Sequence, residues 1–320
     1  MNSLDQSSEI LDFDRKNDLK SGGKKIPLLK VDGLKVPYYF DEVKVREALN
    51  FQPGSNDVFV VTYPKCGTVW MTYILWSIKN GGRATLPDLA QLNAEIPYIE
   101  RTGTSNFDKL TAPRMFSSHL PAELMPYHPE ARYIYVARNP RDVAVSYYHM
   151  TKEVLGGPDY REATFDEYFG SFISAEVPYG DYMDHLRNWC DRISEDNILF
   201  LTYEWMRSDP KAAILSVANF VSDEQHDYVQ DLLANGGEKL EKVIENTSFN
   251  SLKKLPVIIK KATEKKCIDP SLDQGVKLNF FRRGIIGDWM NHFNESQINL
   301  LNQKMNRKLN GSSALSLWKF

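Results

Sequence analysis

Apolar residues along this chain alternate between short runs typical of strands and longer stretches with helical spacing. Residues 57–63 (DVFVVTY) and 131–138 (ARYIYVAR) are short apolar runs rich in β-branched and aromatic side chains. Residues 114–117 (RMFS) and 197–203 (NILFLTY) show the same character. The pattern therefore predicts four short strands, each of the buried type.

Helical spacing follows three of these runs. A helix is predicted after the first run, ended by Gly81-Gly82, and its apolar face contains Trp70, Met71, Ile74, Leu75 and Ile78. A second helix is predicted over RDVAVSYYHM, with Pro140 in its first turn. The stretch after residue 203 predicts a third, with one face formed by Ile214, Val217, Ala218 and Val221.

Strands that alternate with helices predict an α/β fold. We expect a single domain over residues 26–320, with a central parallel sheet flanked by helices on both faces. Residues 1–25 are polar and predict a flexible N-terminal arm. Residues 250–278 are lysine-rich and indicate an irregular flap rather than a second domain. In such a fold ligands bind beyond the carboxyl ends of the strands.

Composition narrows the class of protein without naming a function. The 320 residues contain 39 Lys and Arg against 42 Asp and Glu, a net charge of −3, and 42% are hydrophobic. These values exclude a disordered or fibrous chain, and they give no electrostatic footprint for nucleic acid. No apolar run approaches the length of a membrane span, and the polar start predicts no secretory signal. With only three cysteines, we expect a reduced, cytoplasmic protein without a membrane partner.

The first chemical motif is the turn TYPKCGTVW at residues 62–70, between a predicted strand and helix. Gly67 allows close approach of a ligand, Lys65 supplies a positive charge, and the Thr68 hydroxyl is a donor. The free amides at the helix start suit a phosphate, as in a P-loop, although the P-loop spacing itself is absent. An ordinary turn with a solvated lysine explains the same residues about equally well.

Two further stretches carry basic residues at turns. In RNPRDVAVS, Arg138 ends a strand and Ser146 lies about two turns into the following helix. In FFRRGIIGDW, Arg282, Arg283 and Gly284 offer guanidinium groups and a backbone amide to one phosphate. Taken singly, each is better explained by a structural role, such as a surface arginine, a helix-interior serine or a basic turn.

Together and in this order, the three motifs resemble those of the cytosolic sulfotransferase family. The match is to its TYPKSGT-x-W loop, its RNPRD-x-x-x-S segment and its R-K/R-G-x-x-G-D-W signature, and it extends over roughly residues 35–300. The resemblance implies an enzyme that binds 3′-phosphoadenosine 5′-phosphosulfate (PAPS) and releases 3′-phosphoadenosine 5′-phosphate (PAP). It implies sulfonate transfer to a small acceptor, a phenol, an alcohol or a catecholamine-like amine, and no metal.

The resemblance also assigns cofactor contacts to matching positions. It places the 5′ side of the cofactor at Lys65, Cys66, Gly67, Thr68 and Val69. It places the 3′-phosphate at Arg138, Ser146, Arg282, Arg283 and Gly284. The adenine is assigned to Trp70, Tyr203 and Phe249, with Thr247 and Ser248 beside them.

The same resemblance implies the catalytic groups. His119 in FSSHLP would be the base, Lys65 would stabilise the leaving phosphate, and Ser146 would restrain Lys65. From the residues alone, a structural histidine at position 119 is equally possible. The acceptor would meet Phe40, Tyr98, His119, His149 and Met150. Glu153 could pair with an amine, although a solvated loop glutamate is the simpler interpretation.

Several positions depart from the family pattern. Ser117 stands where relatives carry a second active-site lysine, and Cys66 replaces a serine and is expected to be an inert buried thiol. The family's short dimer motif is absent after Trp289, which leaves monomer or dimer open. Because Ser117 replaces that lysine, one main alternative to an enzyme stays open, a noncatalytic PAPS- or PAP-binding protein. A membrane-anchored carbohydrate sulfotransferase and a nucleotide kinase fit less well. The loop at residues 151–163 and the flap at residues 250–278 are expected to become ordered on binding.

Overall fold

The computed structural model describes residues 24–83, 85–156, 160–224, 226–255, 258–259, 276–277 and 281–318. Most of the predicted arm and of the predicted flap lies outside these residues, as does Cys267. The division into an arm and a domain beginning at residue 26 thus remains a prediction.

Four parallel strands form the central sheet, as predicted from the apolar runs, and their spatial order is Met115–Ser118, Val58–Thr62, Arg132–Ala137 and Ile198–Thr202. A hairpin precedes this sheet along the chain, and two further strands of two residues each pair antiparallel. The strands are β1 (Leu28–Val31), β2 (Leu34–Pro37), β3 (Val58–Thr62), β4 (Met115–Ser118), β5 (Arg132–Ala137), β6 (Ile198–Thr202), β7 (Ile258–Ile259) and β8 (Val276–Lys277).

Helices connect these strands and cover the sheet. The α-helices are α1 (Glu42–Leu49), α2 (Thr68–Lys79), α3 (Leu89–Glu95), α4 (Ile99–Thr102), α5 (Pro140–Met150), α6 (Phe165–Ile173), α7 (Tyr182–Cys190), α8 (Tyr203–Ser208), α9 (Pro210–Val221), α10 (Tyr228–Asn246), α11 (Phe249–Lys253) and α12 (Glu295–Lys308). Helix α10 is interrupted by four residues with non-helical backbone angles, 234–237. Shorter turns of helix occur at Phe107–Lys109, Thr151–Leu155, Asp288–Asn291 and Ser313–Ser316.

Alternate side chains of the central strands point into two separate cores. Phe59 of β3 and Tyr133 of β5 belong to one core, whereas Val60 and Ile134 from the same strands belong to the other. Both faces of the sheet are therefore buried, which is why its strands are apolar at nearly every position. The predicted α/β fold with helices on both faces is confirmed.

Helix α2 is more buried than its predicted single apolar face implies. All nine residues from Trp70 to Ile78 are buried, including polar Thr72 and Ser77. The Tyr73 hydroxyl donates to the carbonyl of Pro87 at 3.0 Å, and the Trp76 indole donates to Glu95 at 2.9 Å. The five residues of the predicted apolar face are buried, as expected, and the other residues are buried as well because α9 and α10 also pack against α2.

Two segments predicted to be irregular contain helix. Thr151–Leu155 continues α5 as a π-helical turn, with Thr151 and Leu155 buried, so the predicted loop 151–163 is wrong for its first five residues. The Thr151 hydroxyl donates to the Tyr147 carbonyl at 2.8 Å, which extends the helix across the predicted boundary. The flap predicted over 250–278 begins inside α11, where Ser248 caps the first turn.

The carboxyl ends of the four strands meet at one edge of the sheet. The residue after β4 is His119, after β5 Arg138, and after β6 Tyr203, while β3 leads into the turn at Tyr63–Gly67. Because the strands are parallel and in register, these four ends lie side by side. The fold thus collects the sequence's chemical motifs at one edge.

Candidate active site

The turn between β3 and α2 has an unusual backbone for two of its residues. Lys65 has a φ of 74° and Gly67 a φ of 108°, both in the left-handed region. Gly67 caps α2 without a side-chain hydrogen bond, so the first amides of the helix are left for a ligand. A Cβ added at Gly67 would lie 3.1 Å from Tyr203 Cδ2, so the glycine also allows close packing. The turn has the geometry of an anion-binding loop.

His119 is oriented by the strand that leads into this turn. Its Nδ1 lies 2.7 Å from the backbone oxygen of Thr62 and 3.2 Å from the Thr62 hydroxyl. A carbonyl oxygen only accepts, so Nδ1 carries the hydrogen and Nε2 keeps its lone pair. The Thr62 hydroxyl is also 2.6 Å from that of Thr68, at the start of α2. This chain of contacts links the imidazole to the turn.

Two basic groups of the site are easier to deprotonate than usual. Burial lowers the pKa of His119 to about 4, with a further decrease from the charge of Lys65. Burial also lowers the pKa of Lys65 to about 8, and Arg138 lowers it further. At neutral pH the imidazole is therefore uncharged and able to accept a proton, while Lys65 is still mostly charged.

Two buried residues hold the backbone of His119, and no sequence motif contains either of them. Glu100 is fully buried, and its Oε1 accepts from the His119 amide at 2.7 Å and from the Ser118 hydroxyl at 3.2 Å. Burial raises the pKa of Glu100 to about 8. His185 Nε2 donates to the His119 carbonyl at 3.1 Å. The peptide groups on both sides of His119 are thus fixed.

Arg138 lies at the junction of the turn, β5 and the basic segment at 281–289. Its guanidinium stands 4.3 Å from the centre of the Tyr203 ring and donates to the carbonyl of Lys65 at 3.1 Å. Its Nε is buried and has no hydrogen-bond partner among the residues the structure describes. The ring of Tyr203 meets that of Trp70 edge to face at 5.4 Å. A cation and two aromatic rings thus adjoin the anion-binding turn.

The two arginines of the basic segment share one carboxylate. Asp288 accepts from Arg282 and, at 2.8 Å, from Arg283. Asp142 of α5 accepts from the backbone amides of Gly287 and Trp289, at 2.8 and 3.1 Å. This second carboxylate joins the segment to the helix that follows Arg138. The motifs that the sequence separates by about 140 residues are thus one unit in the structure.

Gly284 makes room for an aromatic ring. Its φ is 62°, and an added Cβ would overlap the ring of Phe249. Phe249 is the first residue of α11, whose cap is Ser248. The ring and the glycine line the same cavity as Arg138 and Tyr203.

The other end of the cavity is mainly aromatic. Tyr98 and Tyr179 present their rings edge-on to His119, at centre distances of 5.1 and 5.2 Å, and Phe40 lies 5.9 Å from Tyr98. His149 contributes a buried Nε2 without a partner in the described part of the chain. Glu153 lines the cavity, and partial burial raises the pKa of its carboxyl, whereas Lys65 and Arg282 lower it.

One cavity contains nearly every residue that the sequence singled out. Those lining it are Phe40, Lys65, Gly67, Thr68, Val69, Trp70, Tyr98, His119, Arg138, Ser146, His149, Met150, Glu153, Tyr203, Thr247, Phe249, Arg282, Arg283 and Gly284. Cys66 and Ser248 do not. Cys66 is fully buried, which raises the pKa of its thiol to about 12, and the Ser248 hydroxyl caps α11.

Some residues of the wall had no usable signal in the sequence. Tyr179, Arg101 and Arg207 line the cavity although no motif contains them. Tyr179 belongs to a Pro-Tyr-Gly turn, which predicts a bend but not its position in the fold. Its amide donates to Lys35 at 2.7 Å, a contact between distant parts of the chain.

The described residues contain no group of three or more His, Cys, Asp or Glu side chains that could hold a metal ion. Within the same residues, no helix is both long enough and apolar enough to cross a membrane. Cys66 and Cys190 are free thiols.

Comparison with known proteins gives consistent matches along the chain. The model of the sulfotransferase domain matches residues 55–313. Human sulfotransferase 1C2 is 31% identical over 301 residues, which cover 91% of this chain and 95% of that protein. Mouse sulfotransferase 1A1 is also 31% identical, and the match covers 85% of this chain and 90% of that protein.

Solved structures show the same architecture. The crystal structure of mouse sulfotransferase SULT7A1 complexed with PAP matches with a TM-score of 0.67 and 25% identity, covering 90% of this chain and 96% of that one. Retinol dehydratase, in complex with androsterone and PAP, matches with a TM-score of 0.69, covering 92% of each chain. At 19% identity, the second match concerns the fold alone.

Proposed function

Because this chain belongs to the cytosolic sulfotransferase family, we propose that it transfers a sulfonate group from PAPS to the hydroxyl or amine of a small aromatic acceptor, with His119 as general base. Family membership makes the chain a PAPS-dependent sulfotransferase, since the domain match covers residues 55–313. The structurally similar mouse sulfotransferase SULT7A1 is complexed with PAP, the product that remains after PAPS has donated its sulfonate group. The base and the acceptor class are the parts that this proposal adds.

The cavity fits a nucleotide with a phosphate at each end of its ribose. Gly67 and Gly284 let the rings of Tyr203 and Phe249 pack against the backbone, and both rings line the cavity. The buried Nε of Arg138 is a donor that a phosphate oxygen could satisfy. PAPS supplies the transferable sulfonate. Lys65, Gly67 and Thr68 would hold its 5′ side, and Arg138, Ser146, Arg282 and Arg283 its 3′-phosphate.

One observation carries the role of His119, the contact of 2.7 Å between its Nδ1 and the Thr62 carbonyl. It fixes the tautomer with the lone pair on Nε2, on a ring that lines the cavity. With its pKa lowered to about 4 by burial, the imidazole is neutral when an acceptor hydroxyl arrives. It can take the acceptor's proton as the acceptor oxygen attacks sulfur.

Lys65 would stabilise the leaving group of the reaction. Its ammonium group can compensate the negative charge that builds on the phosphate oxygen as the sulfur–oxygen bond breaks. Ser146 lines the same cavity from α5 and would hold Lys65 back until the acceptor binds. The mainly aromatic end at Phe40, Tyr98 and Tyr179 suits a flat acceptor, and Glu153 on the wall could pair with an amine.

The decisive experiment is transfer from radiolabelled PAPS to a panel of phenols, catecholamines, steroids and sugars. His119→Ala should reduce kcat by about 100-fold or more while PAP binding persists. His226→Ala is the matched control, because His226 is exposed and does not line the cavity. Equal loss in both variants, or none in His119→Ala, would remove His119 from the role of base.

Ser117 supports one alternative, a protein that binds PAPS or PAP without catalysis. Ser117 is 5% exposed, and its hydroxyl lies 3.5 Å from the Pro97 carbonyl, so it supplies no charge to the cavity. This alternative gains if the wild type binds PAP but labels no acceptor on the panel. The oriented His119 favours catalysis, because a protein that only binds the nucleotide needs no base.

A further inference from the structure

Two phenol groups meet beside the proposed base. The hydroxyls of Tyr98 and Tyr179 are within hydrogen-bond distance of each other, and either can be the donor. Both residues line the cavity, and both rings stand edge-on to His119, at 5.1 and 5.2 Å. Tyr98 directly precedes α4 and Tyr179 lies in a turn, so two distant parts of the chain bring the hydroxyls together.

The pair has more hydrogen-bonding capacity than its mutual contact uses. Two neutral phenols carry two hydrogens, and one hydrogen is enough for the bond between them. Burial raises the pKa of both phenols well above the usual value, so both remain neutral at physiological pH. No other partner of either hydroxyl occurs within the described ranges. One phenol of the pair therefore keeps an O–H that can donate to a ligand, and the other keeps an oxygen lone pair that can accept from it.

The surroundings make this capacity selective. The rings of Tyr39 and Phe40 contact each other at 5.4 Å, and Phe40 contacts Tyr98, so the phenol pair lies at the edge of an apolar aromatic wall. A donor in such surroundings favours a ligand oxygen strongly, because water is a poorer competitor there. The backbone supports of Tyr98 and Tyr179 are also in place before binding: a bridge to Ser117 and a bond to Lys35.

We propose that the Tyr98–Tyr179 hydroxyl pair selects acceptors that carry a second oxygen besides the reacting group. A hydroxyl is the full match, because it can accept from one phenol and donate to the other, while a carbonyl or ether oxygen uses the donor only. This inference rests on the proposed function, since it assigns the aromatic end of the cavity to the acceptor. It names the acceptor class as aromatic alcohols with a second hydroxyl.

The test compares 2-naphthol with the 1,5-, 2,3-, 2,6- and 2,7-dihydroxynaphthalenes. Titration calorimetry gives the Kd of each for the full chain saturated with PAP, and initial rates with PAPS give kcat/KM. For the wild type, at least one diol should bind about tenfold more tightly than 2-naphthol, the worth of one well-placed hydrogen bond. Tyr98→Phe and Tyr179→Phe remove single oxygens and should reduce this preference to about twofold in at least one variant.

Tyr73→Phe is the matched control, because the Tyr73 hydroxyl is buried and bonded to Pro87 away from the cavity. It should keep the wild-type preference. The proposal is overturned if no diol binds more tightly than 2-naphthol, or if the preference survives in both cavity variants. Binding to the PAP complex requires no transfer. The chain could prefer diols through Tyr98 and Tyr179 and yet transfer no sulfonate. That result would contradict the proposed function and leave this inference intact.

Discussion

The Nδ1 nitrogen of His119 and the carbonyl oxygen of Thr62 are 2.7 Å apart, and Thr62 is the last residue of β3. The next residues along the chain form the anion-binding turn. One strand end therefore positions both the proposed base and the loop that would hold the transferred group. Since the bond uses the main chain, no side-chain substitution at residue 62 can remove it directly.

Substitution of Thr62 separates the roles of its carbonyl and its hydroxyl. Thr62→Val keeps the carbonyl bond to His119 and removes the hydroxyl contacts to His119 and Thr68, at 3.2 and 2.6 Å. We expect kcat to fall by about tenfold or less, because the tautomer is retained. Steady-state kinetics measure the change. A loss as large as that of His119→Ala would mean that the hydroxyl, and not the carbonyl, orients the ring.

The pH dependence of the reaction should reflect the two lowered pKa values. With the pKa of His119 lowered to about 4 by burial, transfer should not decline on acidification until well below about pH 6.5, the midpoint for an unperturbed histidine. With the pKa of Lys65 lowered to about 8, kcat/KM for PAPS should fall above that pH as the charge is lost.

Lys65→Arg provides the control for the alkaline limb. An arginine remains charged throughout this range, so the limb should vanish even if the overall rate decreases. Circular dichroism at each pH separates ionisation from unfolding. An alkaline limb that persists in Lys65→Arg would assign it to another group.

Gly284→Ala should weaken cofactor binding in addition to destabilising the fold. An added Cβ would overlap the Phe249 ring, and that ring lines the cavity where the adenine is proposed to bind. We expect PAP affinity to fall about tenfold or more, as after loss of a well-formed stacking contact.

Gly311→Ala is the comparison for this substitution. Gly311 has a φ of 80°, similar to the 62° of Gly284, but an added Cβ there meets nothing within 4 Å. Both variants should lose about 1–2 kcal/mol of stability from the left-handed backbone, measured by urea unfolding. Equal PAP affinities of the two variants would contradict the predicted role of the Phe249 contact.

Glu100 should make the protein less stable as the pH rises. Burial raises its pKa in the folded protein to about 8, above the ordinary value of 4.5, so the folded state binds the proton more tightly than the unfolded state. Its contribution to stability is full at low pH and is lost as the pH rises from about 4.5 to about 8, by up to about 1.4 kcal/mol per pH unit.

Glu100→Gln should remove much of this slope and raise the melting temperature at about pH 8 relative to the wild type, because glutamine stays neutral. Its amide oxygen can still accept from the His119 backbone, so catalysis should fall far less than in Glu100→Ala. Parallel slopes of melting temperature against pH in the wild type and in Glu100→Gln would contradict the buried, neutral carboxyl.

Ser117→Lys tests the residue in which the chain departs from its family pattern. If the missing cation slows transfer, restoring it should raise the rate constant of the transfer step, measured in single turnovers. Because Ser117 is buried in β4, thermal melting must accompany the kinetics. An unchanged or lower rate in a stable variant would show that Lys65 and His119 suffice.

The four central strands and the motifs at their ends can be predicted from the sequence because each signal is local. A run such as residues 57–63 is apolar at nearly every position because both faces of the sheet are buried, and Gly67 and Pro140 mark turn and helix start directly. The chain order of these signals was enough to predict a parallel sheet, and a parallel sheet puts its carboxyl ends together.

The remaining features depend on contacts that no local pattern encodes. Trp76 lies outside the predicted apolar face of α2, yet it is buried and its indole donates to Glu95. The carboxylate of Glu100 supports His119 from 19 positions away, and Tyr179 reaches the cavity through a turn 81 positions after Tyr98. Residues 151–155 continue α5 as a π-helical turn, and the Thr151 hydroxyl bonds back to the preceding turn. Such pairings arise only when the chain is packed.

The cavity's two ends are built from different kinds of structure. Lys65, Arg138 and Tyr203, which are assigned to the nucleotide, follow strands of the central sheet, whereas Phe40, Tyr98 and Tyr179 belong to connections outside it. Mutations in these connections can therefore change which acceptor binds, while the residues that bind the common sulfonate donor stay the same. For directed evolution, this separation recommends libraries confined to the connections, with the strand ends left invariant.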